Sequence, residues 1–577
     1  MPSQRTKSGG RVTRRNGPVG RYLFSAVAAG VSPAVEPRRP ARRTSRGSSN
    51  GTGMFLAMIG AARCRPSTSG EMPDTTQNAR VARFTSLWKT SSRIEAPPLR
   101  AALALCSWTG VLQRLLQAGA LIVGLVSFTG CATYSQQNRF AGAWAHGDLA
   151  AAEKEATLKA DKEAGGKDAI IWRLEQAAIL RAEGKYAESN KAFDEAQEKI
   201  DRYAEQAKVK LGAETAAMFS NLANLPYRGR AYDGIMVNTY KALNFLAMHD
   251  LDKARVEIIR AYQRQQDAVE ENKRRLQKAQ DELEAEKEKQ RIEQARNDPN
   301  VQGRLNQAYS GLDSLKLYSD YVNPFTVYLD GLIYFAGAAG ASDIEHARKS
   351  FERAAAFAEH NRCVKEDLAM VEAAARGTPP GPITYVILES GRAPARDQIR
   401  IDIPILFARL SYVGAAFPTL ELQGGQLSSL TVTANGARHS AEPLASMDSV
   451  IARDFKNELP VVITKTIIAA VVKAAASYAA NEAAHKQGGD VAGLFSQIGT
   501  AVFQIAVNIA DLRTWTTLPK EFLVCRVPTP PDRKIELQTP GSAQKVSVTL
   551  DEGVMNLVYV KSISAGGPLF VSQMKLK

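Results

Sequence analysis

The spacing of apolar positions divides the chain into stretches of different period. From Phe140 to about Ala375 apolar residues recur at three and four, among abundant Ala, Glu, Lys, Leu and Gln, which predicts a run of amphipathic helices. "RGTPPGP" (376–382) breaks that pattern, and "ITYVILESG" after it is β-branched and almost continuously apolar. The expected organisation is therefore mainly α: a helical domain (131–375), a linker (376–382) and an α+β domain (383–577). Strands are expected near 383–389, 397–403 and 428–433, and again from Phe522 to the end, with "TPGSAQ" and "SAGG" as hairpin turns. A helical insertion, 447–512, separates the two groups. Its halves, "VVITKTIIAAVVKAAASYAA" and "VAGLFSQIGTAVFQIAVNIA", are expected to fold as a helical hairpin across Gly488-Gly489, with a kink at Pro460. Lys465, Lys473, Gln497, Gln504 and Asn508 interrupt these halves too often for comfortable bilayer spans. The hairpin, 461–510, is thus expected to lie against the β-domain, with a position on a membrane surface as the alternative.

Within the helical half, four segments resemble one another: "AHGDLAAAEKEA" (145–156), "AEGKYAESNKAFDEA" (182–196), "AMHDLDKARVEIIRA" (247–261) and "GASDIEHARKSFERA" (340–354). Each has a turn, a charged residue, an apolar residue and then small residues where two helices approach. Gly184 and Tyr186 form the turn of the second copy, Phe193 and Ala196 its packing face, and Trp172 begins its first helix. These segments resemble tetratricopeptide (TPR) repeats, whose period is about 34 residues. The resemblance implies a TPR-like α-solenoid with a concave face for extended peptides or partner helices; a generic helical bundle is the alternative. The charged run 262–298, stopped by Asp298-Pro299, reads as a long helix that is either solvated or projects toward a partner.

Charge changes the picture only through its distribution. The net charge is +15, but 19 of the 74 Lys and Arg and only 4 of the 59 Asp and Glu precede Cys131, which leaves 55 of each from there on. No nucleic-acid partner is expected. Residues 1–110, rich in Arg, Ser, Gly and Pro without periodicity, read as a disordered N-terminal region or as translated upstream nucleotides. The segment 111–130 supplies Arg114, an apolar core from Leu115 to Val126, and "FTGC" ending at Cys131, the three parts of a secretory signal. The last four residues resemble the lipobox of bacterial lipoproteins, with Phe128 in place of the usual Leu. Cys64 and Cys106, which follow Arg63 and Leu105, do not. Val111 fits a GTG start codon. The resemblance implies diacylglycerol on the Cys131 thiol, cleavage before it, and sorting to the outer membrane because Ala132 follows. An uncleaved anchor needs about 20 apolar residues, more than this core has. Cys363 and Cys525 are read as either a disulfide or two buried thiols.

"YRGRAYDGIMVNTYKALNFLAMHDLDKARVEIIRAYQR", "DYVNPFTVYLDGLIYFAG", "VILESGRAPARDQIRIDIPI" and "ADLRTWTTLPKEFLVCRV" together resemble a largely uncharacterised family of bacterial lipoproteins that join TPR-like repeats to a C-terminal β-rich domain. The resemblance covers nearly all of 131–577 and implies a neighbourhood with lipoprotein activators of peptidoglycan synthases, but no reaction or cofactor. Catalytic motifs are missing: His146, His249, His346, His360, His439 and His485 show no zinc-hydrolase spacing, and there is neither a phosphate loop nor a G-x-S-x-G elbow. His360 with Cys363 lacks further ligands for a metal. Neither metal nor cofactor is therefore expected. The expected function is a periplasm-facing, outer-membrane lipoprotein scaffold that recruits an envelope protein, such as a peptidoglycan-synthesis component; alternatives are a periplasmic enzyme acting on peptidoglycan and an accessory lipoprotein of a secretion or pilus system. Candidate binding residues are Tyr227, Arg228, Asp233, Tyr240, Glu257, Arg260, Tyr328 and Asp330, with Glu257–Arg260 also readable as a structural ion pair. Arg513 and Trp515 of "ADLRTW" are expected at a helix-to-strand junction, the Arg held by Asp511 or a carbonyl.

Overall fold

A computed structural model describes residues 139–209, 225–407, 410–507, 510–542 and 545–577. The residues before 139, including the basic arm, the signal segment and Cys131, lie outside it. Helices come first: α1 (Arg139–His146), α2 (Leu149–Lys162), α3 (Ala169–Ala182), α4 (Tyr186–Val209), α5 (Ala231–Ala247), α6 (Leu251–Ala285), α7 (Lys289–Arg296), α8 (Pro299–Tyr309), α9 (Pro324–Ala336), α10 (Ala341–Phe357) and α11 (Arg362–Ala375). Polar side chains start several of them by accepting from free N–H groups. Asp148 accepts from Ala151 and Asp250 from Lys253, both at 3.0 Å, while Asn323 and Asn361 cap α9 and α11.

Three of the four similar segments end a helix in the same way. Gly147, Gly184 and His249 have φ of 76°, 78° and 58°. In each case the next residue's N–H reaches back to a carbonyl five residues earlier: Asp148 to Ala143, Lys185 to Leu180, Asp250 to Phe245. This is the Schellman arrangement, which needs a left-handed residue. The fourth segment turns differently, since Gly340 is extended at φ −172°.

The C-terminal region supplies β1 (Ile383–Ser390), β2 (Ala395–Phe407), β3 (Leu410–Glu421), β4 (Thr431–Ala434), β5 (Ala437–Ser440), β6 (Glu442–Ser446), a long helix α12 (Met447–Val507), then β7 (Glu521–Pro528), β8 (Lys534–Gln538), β9 (Lys545–Thr549), β10 (Met555–Ser562) and β11 (Leu569–Lys575). The central sheet has the order β11-β10-β1-β7-β6, with β1 parallel to β10 and the other pairs antiparallel. A smaller sheet, β5-β4-β8-β9, covers one of its faces. Every residue of β1 is buried, because Tyr385 and Ile387 meet the helices while Val386 and Leu388 meet the smaller sheet. That two-sided burial is why the strand is apolar without alternation. A separate core joins the β2–β3 ribbon to the ends of α6, α7, α8 and the middle of α12 through Leu283, Ile292, Leu305, Phe417 and Ile468.

Among the described residues the fold is thus mixed, with 12 α-helices followed by a β-containing region. Three expectations need correction. The helical hairpin is instead a single helix of 61 residues that contains Pro460 and continues through Gly488-Gly489. An internal glycine costs only about 1 kcal/mol, too little to stop an Ala-rich helix already nucleated on both sides. The charged run 262–298 is not one long helix: α6 stops at Ala285, and the short step to α7 lets Ile292 and Ala295 enter the β2–β3 core. Residues 510–520 leave the helix and run, with Trp515 and Leu518 fully buried, to β7. Cys363 and Cys525 are buried free thiols.

Candidate functional site

Most of the candidate binding residues are in the interior. Tyr227, 3% exposed, donates to Asp233 at 2.5 Å, and Asp233 also accepts from the Arg230 N–H at 2.8 Å. Burial raises the Asp233 carboxyl to about 6 despite these donors. Tyr328 donates to Asp367 at 2.8 Å, and Tyr385 to the same carboxylate at 3.2 Å. Glu257 accepts from Asn238 and Arg260, both at 2.6 Å, and pairs with the buried Lys241 at 3.0 Å, so the Glu257–Arg260 contact is an ion pair. Asp330 is half-buried between His346, at 2.9 Å, and the Ser350 hydroxyl. Only Arg228 and Arg260 are exposed. The reason is that the polar side of the helices faces other parts of the chain. Glu175 on α3, for example, accepts from the Thr516 and Thr517 N–H groups at 2.7 and 3.1 Å. Arg513 is held by Asp511 at 2.7 Å and by Asp168 at 3.0 Å.

Of the eight candidates, Tyr240 lines a cleft. It opens where the α3–α4 turn approaches the β10–β11 side of the central sheet, and encloses about 330 Å³. Glu389, at the end of β1, lies on its floor and is 1% exposed. The parallel register sets Lys561 of β10 directly beside it and Tyr559 two residues before. One Glu389 oxygen takes the Tyr240 hydroxyl at 2.8 Å and the Lys561 ammonium; the other takes the Tyr559 hydroxyl at 2.6 Å. Burial alone would raise this carboxyl, but Lys561 and Arg181 outweigh it and hold it below its ordinary value. Burial pushes Lys561 down, with Glu389 opposing. Arg181, at the end of α3, places its guanidinium over the Tyr559 and Tyr240 rings, 4.6 and 5.2 Å from their centroids. Its Nη1 donates to Asn244 at 3.0 Å, and Asn244 is in turn fixed by Ser189 and Asn190, both at 2.9 Å. A carboxylate kept anionic by three donors is a poor proton acceptor, and a clamped guanidinium is a good anion receptor. The arrangement suits binding.

The composition of α3 and the strands held a signal for these residues: Arg181, Glu389 and Lys561 are charges inside otherwise apolar runs, "AAILRA", "VILES" and "LVYVKS". Buried charges of this kind need partners. Among the described residues no group of three His, Cys, Asp or Glu could hold a metal.

A second feature is the outward face of α6. Its inner face buries Ala254, Glu257, Ile258 and Ala261, whereas Val256, Ile259 and Tyr262 are 46%, 50% and 44% exposed. They are three residues apart and share one face. α12 contains the described stretch long and apolar enough to cross a bilayer, Met447–Ala476, and 44% of the 18-residue apolar window within it is buried in the protein. Lys465 within it pairs with Glu282 at 3.1 Å. Compared with known proteins, the chain matches no family model, no curated protein and no solved structure.

Proposed function

We propose that the chain is a lipid-anchored protein of the bacterial envelope, held by acylated Cys131 on the periplasmic face of the outer membrane, and that it serves as a non-catalytic interaction scaffold. The observation that carries the reading is the exposed apolar row Val256, Ile259 and Tyr262 on α6. Isolated apolar residues on a surface are ordinary, but three on one helical face form the kind of anchor a partner helix or groove engages. The inner side of the helical half is filled by the chain's own sheet through Tyr240, Tyr328 and Phe325, which leaves the outer side for a partner. The three like Schellman turns support a TPR-related origin for the helices. The apolar segment before "FTGC" supports the anchor, and the equal numbers of acidic and basic residues from Cys131 onward favour a protein over a nucleic acid. The partner is an envelope protein; the family resemblance points to a component of peptidoglycan synthesis.

The test is affinity capture from solubilised membranes of the native host, comparing wild type with the double variant Val256→Asp, Ile259→Asp. The expected result is one envelope protein in near-equal amount with wild type and its loss with the variant, at unchanged unfolding midpoint. A partner retained by the variant, or none with wild type, overturns the reading.

A further inference from the structure

An anchor at Cys131 fixes more than the location of the chain, because little sequence separates it from the folded body. Residues 132–138 are all that lies between Cys131 and Arg139, where α1 begins. Eight Cα steps reach at most about 29 Å in any conformation. A body of the size that follows, Arg139 to Lys577, is about 57 Å across. The start of α1 therefore belongs to the half of the molecule nearest the bilayer. α1 is itself part of that body and not of the tether, since Phe140 and Trp144 are each 2% exposed.

Two contacts with Trp172 show which surface lies there. Phe140 meets this ring edge-on, with centroids 5.4 Å apart, and the Lys159 ammonium stands 6.0 Å from the same ring. The start of α1 and the last turn of α2 thus converge on Trp172. α2 buries Ala152, Ala156 and Ala160 and turns the opposite stripe outward: Lys154, Leu158 and Lys162, four residues apart. Leu158 is 59% exposed. One exposed leucine is ordinary in itself, but this one stands beside the tether. Of the acids nearby, Glu155 and Glu163 are half-buried, and Asp161 is engaged by Arg173 at 3.2 Å. Lysines flanking an apolar residue can lay their stems along apolar surface and keep their heads at the level of lipid phosphates.

We propose that this outer stripe of α2 rests on the phospholipid surface that holds the acyl chains, with Leu158 among the headgroups and Lys154 and Lys162 against their phosphates. The proposal rests on acylation of Cys131, and it orients the scaffold. Gly147, after α1, closes on Pro568 just before β11, at one edge of the central sheet. Asn361, before α11, donates to the Glu442 and Pro443 carbonyls of β6, at the other edge. The β11 edge therefore faces the lipid, and β6 with α11 is held away from it.

Fluorescence quenching tests this with the acylated protein in vesicles of phosphatidylethanolamine and phosphatidylglycerol. A nitrobenzoxadiazole label is placed on Leu158→Cys and, as the control on α11, on Ala369→Cys; both positions are exposed, whereas Cys363 and Cys525 are buried and stay unlabelled. Both variants should float with the vesicles. Nitroxide-bearing lipid should quench the label at 158 several-fold more than the label at 369, and the emission at 158 should lie at shorter wavelength. Equal quenching at the two positions, stronger quenching at 369, or none at 158 while the protein still floats overturns the orientation and leaves the anchor standing. Loss of flotation overturns the anchor, and the orientation with it.

Discussion

Asp367 gives the most direct test of how the helices and the sheet share their charges. It is fully buried on α11, and burial raises its carboxyl to about 7 even though Arg526 and the hydroxyls of Tyr328 and Tyr385 oppose the shift. The folded protein therefore holds this proton up to about pH 7, whereas the unfolded chain releases it near 3.8. Between these values the native state binds more protons than the unfolded state, so this group makes stability fall as pH rises from about 4 to about 7 and adds no further change above that. A shift of about 3 units corresponds to at most about 4 kcal/mol. Asp233, raised to about 6, and Asp454, raised to about 7, act in the same direction, so wild type alone does not isolate Asp367. Asp367→Asn does, because it keeps the shape and one acceptor but never ionises. Urea unfolding followed by tryptophan fluorescence at pH 4.5 and pH 8 should show the variant gaining about 2–4 kcal/mol on wild type between the two. A constant difference, or one moving in favour of wild type, would mean that Asp367 is charged in the native state and that Arg526, 3.4 Å away, outweighs its burial.

Other perturbations probe the remaining layers. Trp515 is fully buried, with ring centroids 5.8 Å from both Phe193 and Tyr240; Trp515→Ala should cost about 3–5 kcal/mol in denaturant unfolding, and a loss below about 1 kcal/mol would show that the loop does not seal this core. His249 holds the left-handed turn that Gly147 and Gly184 hold elsewhere, so His249→Gly should raise stability by about 0.5–1 kcal/mol by relieving the side chain's conformational cost; a net loss would show that the imidazole contributes more than its strain. Cys131→Ser should abolish acylation and release the chain from membranes; mass spectrometry of the mature amino terminus checks this, and an unacylated wild-type terminus refutes the anchor.

The features legible in the sequence were local ones. The Schellman turns at Gly147 and Gly184 are written in four or five consecutive residues, and β1 announces itself by the change from "GTPPGP" to "ITYVIL". β3 was missed because Gly414 and Pro418 interrupt its apolar residues, features that ordinarily argue against a strand. The interior position of Tyr240, Tyr328 and Asp233 was hidden for a different reason. A tyrosine hydroxyl or a carboxylate on a helix looks solvent-facing until the element that covers it is known, and Glu389, which receives Tyr240, is 149 residues away. The Glu389–Lys561 pair likewise becomes visible only once β1 and β10 are known to be parallel neighbours.

These long-range partners bear on the division at 376–382. Glu175 on α3 satisfies the backbone of Thr516 and Thr517; Arg230 before α5 reaches Glu458 of α12 at 2.7 Å, where Arg396 of β2 also arrives; Tyr240 donates to Glu389 of β1. Each contact leaves a charged or polar group on one side that only the other side can satisfy. Separating the halves would expose Phe325 and Phe522, now stacked 3.8 Å apart, and would take Arg230 away from Glu458, leaving that carboxylate with Arg396 of its own half. Removing one member of a buried pair costs about 3–5 kcal/mol, and several would be removed at once, against a total stability of about 5–15 kcal/mol for a typical domain. The proline-rich linker therefore marks a change in secondary structure within one cooperative body, and a partner bound on α6 would be held rigidly with respect to the cleft on the sheet.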